Sequence, residues 1–216
     1  MRSIALGSAP ALVPLASLDD LKADLGITDA QSDTALQRYL VDATEAVLAF
    51  IARPLLYQTW QDQIFVRPFP RTLSLLLGVY PVQKVTAVTR NGTALAQDAL
   101  DDLVIDDDCG EVFRPDVSHP FWPPGRYLVT YEAGYRLPGK NEDGTADPGT
   151  FPGPIALAVR RVAAAAYHAQ GRDQALKSEN EQGVGSTSWV TPDPALGGLT
   201  PEAAGLVQSF CAVKGT

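Results

Sequence analysis

Apolar residues recur at three- and four-residue steps through the middle of the first quarter of the chain: Leu36, Tyr39, Leu40, Ala43, Val47, Phe50 and Ile51. That spacing places them on one stripe of a helix, with Arg38, Asp42 and Glu45 largely on the other side. Ser32 or Asp33 can cap its start. The helix must stop near Arg53, because Pro54 disfavours the helical conformation of the residue before it. A shorter helix precedes it: Ser17 is an N-cap, Asp19 and Asp20 sit where the helix dipole favours acids, and Gly26 suits the stop.

The pattern then changes. Thr59–Val66, Thr72–Leu77, Lys84–Arg90, Leu103–Ile105, Glu111–Phe113 and Tyr127–Tyr131 are rich in β-branched and aromatic residues and are bounded by turn residues. Asn91-Gly92 is a two-residue hairpin signal, since both residues tolerate positive φ. Asp108-Cys109-Gly110 predicts a second hairpin, and seven prolines from Pro68 to Pro124 keep the strands short. Residues 137–152 read as an exposed loop.

A third helix is predicted over 154–170, with Pro154 in its first turn and Gly171 at its end. Its run Val162 to Tyr167 is small enough to allow close helix packing. A polar stretch, 172–199, follows, and Thr200-Pro201-Glu202 opens a last helix toward Leu206, Val207 and Phe210. The fold class is therefore α+β: a small helical bundle, an inserted antiparallel β unit and an extended C-terminal arm.

Composition supports a packed fold. Of 216 residues, 45% are hydrophobic and 19% charged, the latter below the roughly 25% that is usual. The formal net charge of −8 and the lack of any basic run argue against tight nucleic-acid binding. Arg160-Arg161 is only a local feature. No apolar stretch is long enough to span a bilayer, and Met1 to Leu15 lacks the pattern of a signal peptide. Cys109 and Cys211 could form one bridge, but free thiols in a reducing compartment, a cytoplasm, are the simpler reading.

Candidate chemistry fails position by position. Counting Asp106 as the first position of a calcium loop puts Val117 where a bidentate Glu is needed. A solvated turn explains Asp106-Asp107-Asp108 better. His119 and His168 form no helical metal pair, and no catalytic signature surrounds Cys109. Gly183 to Ser188 has no Lys for a phosphate loop and no Gly after Ser186 for a nucleophile elbow. We assign no catalytic, cofactor-binding or metal-ligating residue; the chain reads as a non-enzyme. Trp60 reads as core, whereas Trp122 and Trp189 are candidate surface anchors.

Several strings, in order, resemble the head–tail connector (adaptor) family of tailed bacteriophages: Ser17 to Ile27, Ala52-Arg53-Pro54-Leu55-Leu56, Gln58-Thr59-Trp60, Val129 to Tyr135 ending in Ala-Gly-Tyr, the helix from Pro154, and Ser178-Glu179 with Gly183 to Trp189. The loop 137–152 is long for that family, and Leu206 to Cys211 departs from its usual aromatic-basic close. The resemblance implies one connector domain over 1–216: helices in 17–53, β insert 57–136, helix 154–171, and C-terminal arm with last helix 172–216.

It also implies a homo-oligomeric ring, typically a dodecamer, in the virion neck. The ring would dock on the portal protein and bridge it to a head-completion (stopper) or tail-terminator protein. Double-stranded DNA would pass through its channel without sequence-specific binding. The interface residues expected on this reading are Phe121, Trp122, Trp189, Arg160, Arg161 and Phe210. The arm 172–199 and last helix are expected to meet the portal, and the β insert with loop 119–124 to meet neighbouring subunits. The rival readings are a β-rich ligand- or carbohydrate-binding module using its tryptophans and a small hydrolase using Cys109 or an acid pair.

Overall fold

A computed structural model describes residues 2–7, 12–116, 118–140, 146–170, 178–181, 185–188 and 196–211. In chain order the elements begin with β1 (Arg2–Leu6), α1 (Leu18–Leu25), α2 (Asp33–Ile51), β2 (Gln58–Val66), β3 (Ser74–Leu76) and β4 (Val82–Arg90). There follow β5 (Thr93–Ala94), α3 (Gln97–Asp101), β6 (Val104–Asp106), β7 (Glu111–Phe113), β8 (Gly125–Ala133), β9 (Gly139–Lys140) and β10 (Ala146–Asp147). The chain continues through α4 (Gly153–His168), β11 (Ser178–Glu181), β12 (Gly185–Ser188), α5 (Pro201–Val207) and a 3-10 turn, Gln208–Phe210. Two compact units result, one of Met1–Pro10 with Pro54–Thr150, the other of Ala11–Arg53 with Phe151–Thr216.

The second unit is helical, and its ends form as the residues dictate. Ser17 Oγ accepts from Asp20 N at 3.1 Å, and Gly26 closes α1 at φ 69° while Ile27 N reaches back to Lys22 O at 2.9 Å. Lys22 Nζ meets Asp33 Oδ1 at 2.7 Å, tying α1 to the start of α2. The α2 stripe buries Leu36, Leu40, Ala43, Thr44, Val47 and Ile51. Ala52 then turns left-handed at φ 56°, ending the helix just before Arg53-Pro54. Helix α4 packs on α1, α2 and α5 through Ile155, Ala158, Val159 and Ala163. Thr200 Oγ1 caps α5 by accepting from Ala203 N, and Leu199, Ala203, Ala204 and Val207 are buried.

The first unit holds a five-stranded antiparallel sheet in the order β1-β2-β8-β4-β5 and a three-stranded one, β3-β7-β6. Strand β8 alternates strictly, burying Tyr127, Val129, Tyr131 and Ala133. These share one core with Trp60, Val66, Val85 and Val88 of the large sheet and Leu75 and Val112 of the small one. Trp60 is thus a core residue. The Ala133-Gly134-Tyr135 string also has a local cause. Gly134 has φ 107°, and a Cβ there would lie 2.6 Å from Leu56 O, where Tyr57 N and Tyr135 N exchange bonds with Tyr135 O and Leu55 O.

Several elements differ from the sequence reading, among them β9, which pairs with β10 inside the segment 137–152 read as a loop. The segment before Ser17 contributes strand β1 at the edge of the large sheet, and α3 interrupts the run between β5 and β6. The polar stretch after α4 carries an antiparallel hairpin, with Ser178 opposite Ser188 and Glu181 opposite Gly185.

Candidate assembly surfaces

The proline-rich loop before β8 is held by its own polar groups. Arg114 Nη1 donates to His119 O at 3.0 Å and to Phe121 O at 3.1 Å. Asp116 accepts from Ser118 N at 2.8 Å and lies 3.1 Å from His119 Nδ1. Partial burial would raise the Asp116 carboxyl, but the Ser118 and His119 bonds outweigh it and hold it below the ordinary range. Arg71 lies over the half-buried Phe121 ring, 5.2 Å from its centre.

Trp122 is 3% exposed. Its backbone N–H donates to Thr72 O, its Nε1 donates to Val112 O at 3.1 Å, and its ring meets Tyr127 edge-on at 5.4 Å. It serves as a core residue that fixes the loop, and the half-buried Phe121 is the aromatic side chain this segment leaves partly exposed.

The candidates of the helical unit are engaged within it. Arg160 Nη1 meets Asp24 Oδ2 at 3.0 Å, joining α4 to α1. Arg161 Nε meets Glu202 Oε1 at 3.4 Å, joining α4 to α5, with both side chains more than half exposed. Such an exposed pair contributes at most about 1 kcal/mol and leaves Arg161 available to a partner. Phe210 is half-buried, and its carbonyl accepts from Arg53 Nε at 2.7 Å. Trp189 lies outside the described residues.

The structure also exposes apolar side chains that the sequence reading did not single out. Phe65, near the end of β2, and Phe69, just past it, are 70% and 79% exposed, and Leu73, Leu76 and Val104, on or beside the small sheet, are more than half exposed. The alternation Trp60, Asp62, Ile64, Val66 assigns the odd position Phe65 to the outer face, a signal present in the sequence.

The acidic turn is exposed throughout Asp106 to Cys109. Cys109 N donates to Asp106 Oδ1, and the Asp106 charge, before slight burial, Glu111 and Asp108, pushes the Cys109 thiol up. Both thiols are free; that of Cys211 is half-buried against Phe50 O and Val207 O. Among the described residues no group of three or more His, Cys, Asp or Glu is placed to hold a metal ion, and no helix is long and apolar enough to cross a membrane.

Residues 15–81, running from the start of the helices into the β unit, match the family model described as phage gp6-like head-tail connector protein. That stretch resembles a phage head–tail connector. No curated protein matches the chain. Among solved structures, this chain resembles a chain in the virion of a native gene transfer agent (GTA) particle, with 16% identity and a TM-score of 0.52. It also resembles a chain in the neck of an empty GTA particle computed with C6 symmetry, with 17% identity and a TM-score of 0.53. A chain in the neck of the native particle computed with C12 symmetry has 17% identity and a TM-score of 0.50. Each likeness covers 100% of this chain and 98% of the other, and at these identities it is a likeness of fold.

Proposed function

We propose that this chain is a structural subunit of the neck of a tailed-phage-like particle, where copies form a ring between the portal vertex and the tail or the next head-completion protein. The carrying observation is the connector match over 15–81 together with a fold shared end to end with chains of GTA particles. The chemistry fits: the exposed features are apolar and charged surfaces. A ring subunit is not an enzyme, and it needs rigid cores with exposed contact surfaces, which both units possess. The net charge of −8 would let DNA pass with little adhesion.

In this reading the portal contact belongs to the polar arm 172–199, including the β11–β12 hairpin, and the last helix. Contacts between copies, typically twelve, belong to the β unit. Native mass measurement and negative-stain imaging of the purified chain, alone and mixed with its portal protein, test the reading. A closed ring under either condition is the expected result. A monomer under both overturns it.

A further inference from the structure

The first unit is polarised in charge along its strands. At the end where Val66 pairs with Gly125 lie Arg67, Arg71, Arg90, Arg114 and Arg126. Arg90 and Arg114 are spent partly on Pro124 O and Phe121 O, whereas the Arg67, Arg71 and Arg126 side chains are exposed. Asp116, paired with His119, is the acid of that loop. At the opposite end, where Gln58 and Val82 both pair with Ala133, the β6–β7 turn docks by Val82 N to Asp107 O at 3.0 Å. Asp106, Asp107, Asp108, Glu111 and Glu132 lie there, with Lys84 across from Glu132 and Arg136 over the Tyr57 ring. Asp98, Asp101 and Asp102 belong to α3 and the residue after it, which follow β5 and pack against β4.

Strand β8, nine residues long, separates the ends by roughly 25–30 Å. A Debye length of about 8 Å screens each from the other, so neither end neutralises the other. Each end also exposes apolar surface. Phe69 and Phe65 stand beside the arginines, and Leu76, 53% exposed, pairs with Glu111 next to Asp106. Arginine with aromatic side chains is the composition of protein interfaces. A DNA duplex would engage the arginines but leave both phenylalanines in water, and it would meet an acidic molecule.

We propose that the arginine–phenylalanine end of one copy docks on the aspartate–leucine end of the next, a head-to-tail contact within the ring. Two different patches joined in this way generate closed rings, and opposite charges set their register. The contact rests on the ring reading above and adds the surfaces that close it.

Charge reversal tests it. Arg67→Glu with Arg126→Glu reverses two of the three exposed arginines and sets acids against the aspartate end, and Asp107→Arg with Asp108→Arg reverses two of its three aspartates and sets bases against the arginines. These side chains are exposed, and the Asp107 carbonyl bond to Val82 N is retained. Thermal unfolding and native mass are measured for each pair of substitutions and for all four together, with portal protein if the wild-type chain needs it to close. The expected result is at least a tenfold loss of assembly for either pair, with rings restored by all four substitutions, as only an end-to-end contact predicts. Rings from either pair alone overturn this contact while leaving the ring reading intact. So does loss of assembly in all three folded variants, or a loss of duplex DNA retention by the arginine variant with assembly unchanged, which would make that end a nucleic-acid site. A wild-type chain that stays monomeric even with portal overturns both.

Discussion

Asp62 is a carboxylate at 0% exposure in the middle of an apolar core, and its Oδ2 accepts from Gly78 N at 2.7 Å. Tyr131 OH accepts from Val79 N nearby, and burial, followed by the Asp62 charge, pushes that phenol far up. Together they terminate the backbone of the turn after β3, which has no strand partner. Asp62→Ala should therefore cost about 1–3 kcal/mol, the penalty of an orphaned buried donor. Asp62→Asn, which keeps an acceptor, should cost less; equal urea midpoints for the two would refute the acceptor role. At Cys109 the surrounding acids oppose the thiolate. In a Cys211→Ser background, iodoacetamide labelling of Cys109 should have its midpoint above that of a free thiol. Asp106→Asn should move the midpoint down, because it removes the largest opposing charge while keeping the acceptor for Cys109 N.

At the scale of elements, two glycines that both end a structure separate two physical costs. Gly26, at φ 69°, has open space where a Cβ would go, whereas at Gly134 the Cβ would strike Leu56 O at 2.6 Å. Gly26→Ala should lose about 1 kcal/mol of conformational energy. Gly134→Ala adds a backbone clash and should cost more, about 1–3 kcal/mol beyond it, read as the difference in chemical-denaturation midpoints. The α2 stripe and the β8 alternation were legible because one side of each element is buried continuously. Strand β1 was not, because its inward residues are Ser3 and Ala5 while Ile4 and Leu6 face outward, reversing the usual alternation. Helix α3 has a single buried residue, Leu100, and no side-chain cap. From sequence Trp122 resembles a surface anchor because its neighbours are prolines and polar residues; its hydrogen-bond partners, Thr72 and Val112, come from the segment before β3 and from β7. Arg160 and Arg161 stood out as charges, but Asp24 and Glu202 reach them only through helix packing.

At the scale of the whole molecule, the C-terminal segment combines two roles that a simple truncation would confuse. Leu199, Ala203, Ala204 and Val207 are buried in the helical unit, so α5 is part of its core. Deleting residues 178–216 would remove that core as well as the arm, and burying Leu199 and Val207 alone contributes about 1.5–3 kcal/mol each. Loss of portal attachment in such a variant would say little about contact. Replacing only residues 178–188 with a glycine–serine linker removes the β11–β12 hairpin and leaves α5 in place. If the arm is the portal contact, the melting temperature should stay within about 2 °C of wild type, while co-sedimentation with portal particles falls at least tenfold. Unchanged co-sedimentation would move the portal contact away from the hairpin. A large drop in melting temperature would show instead that the hairpin stabilises the helical unit.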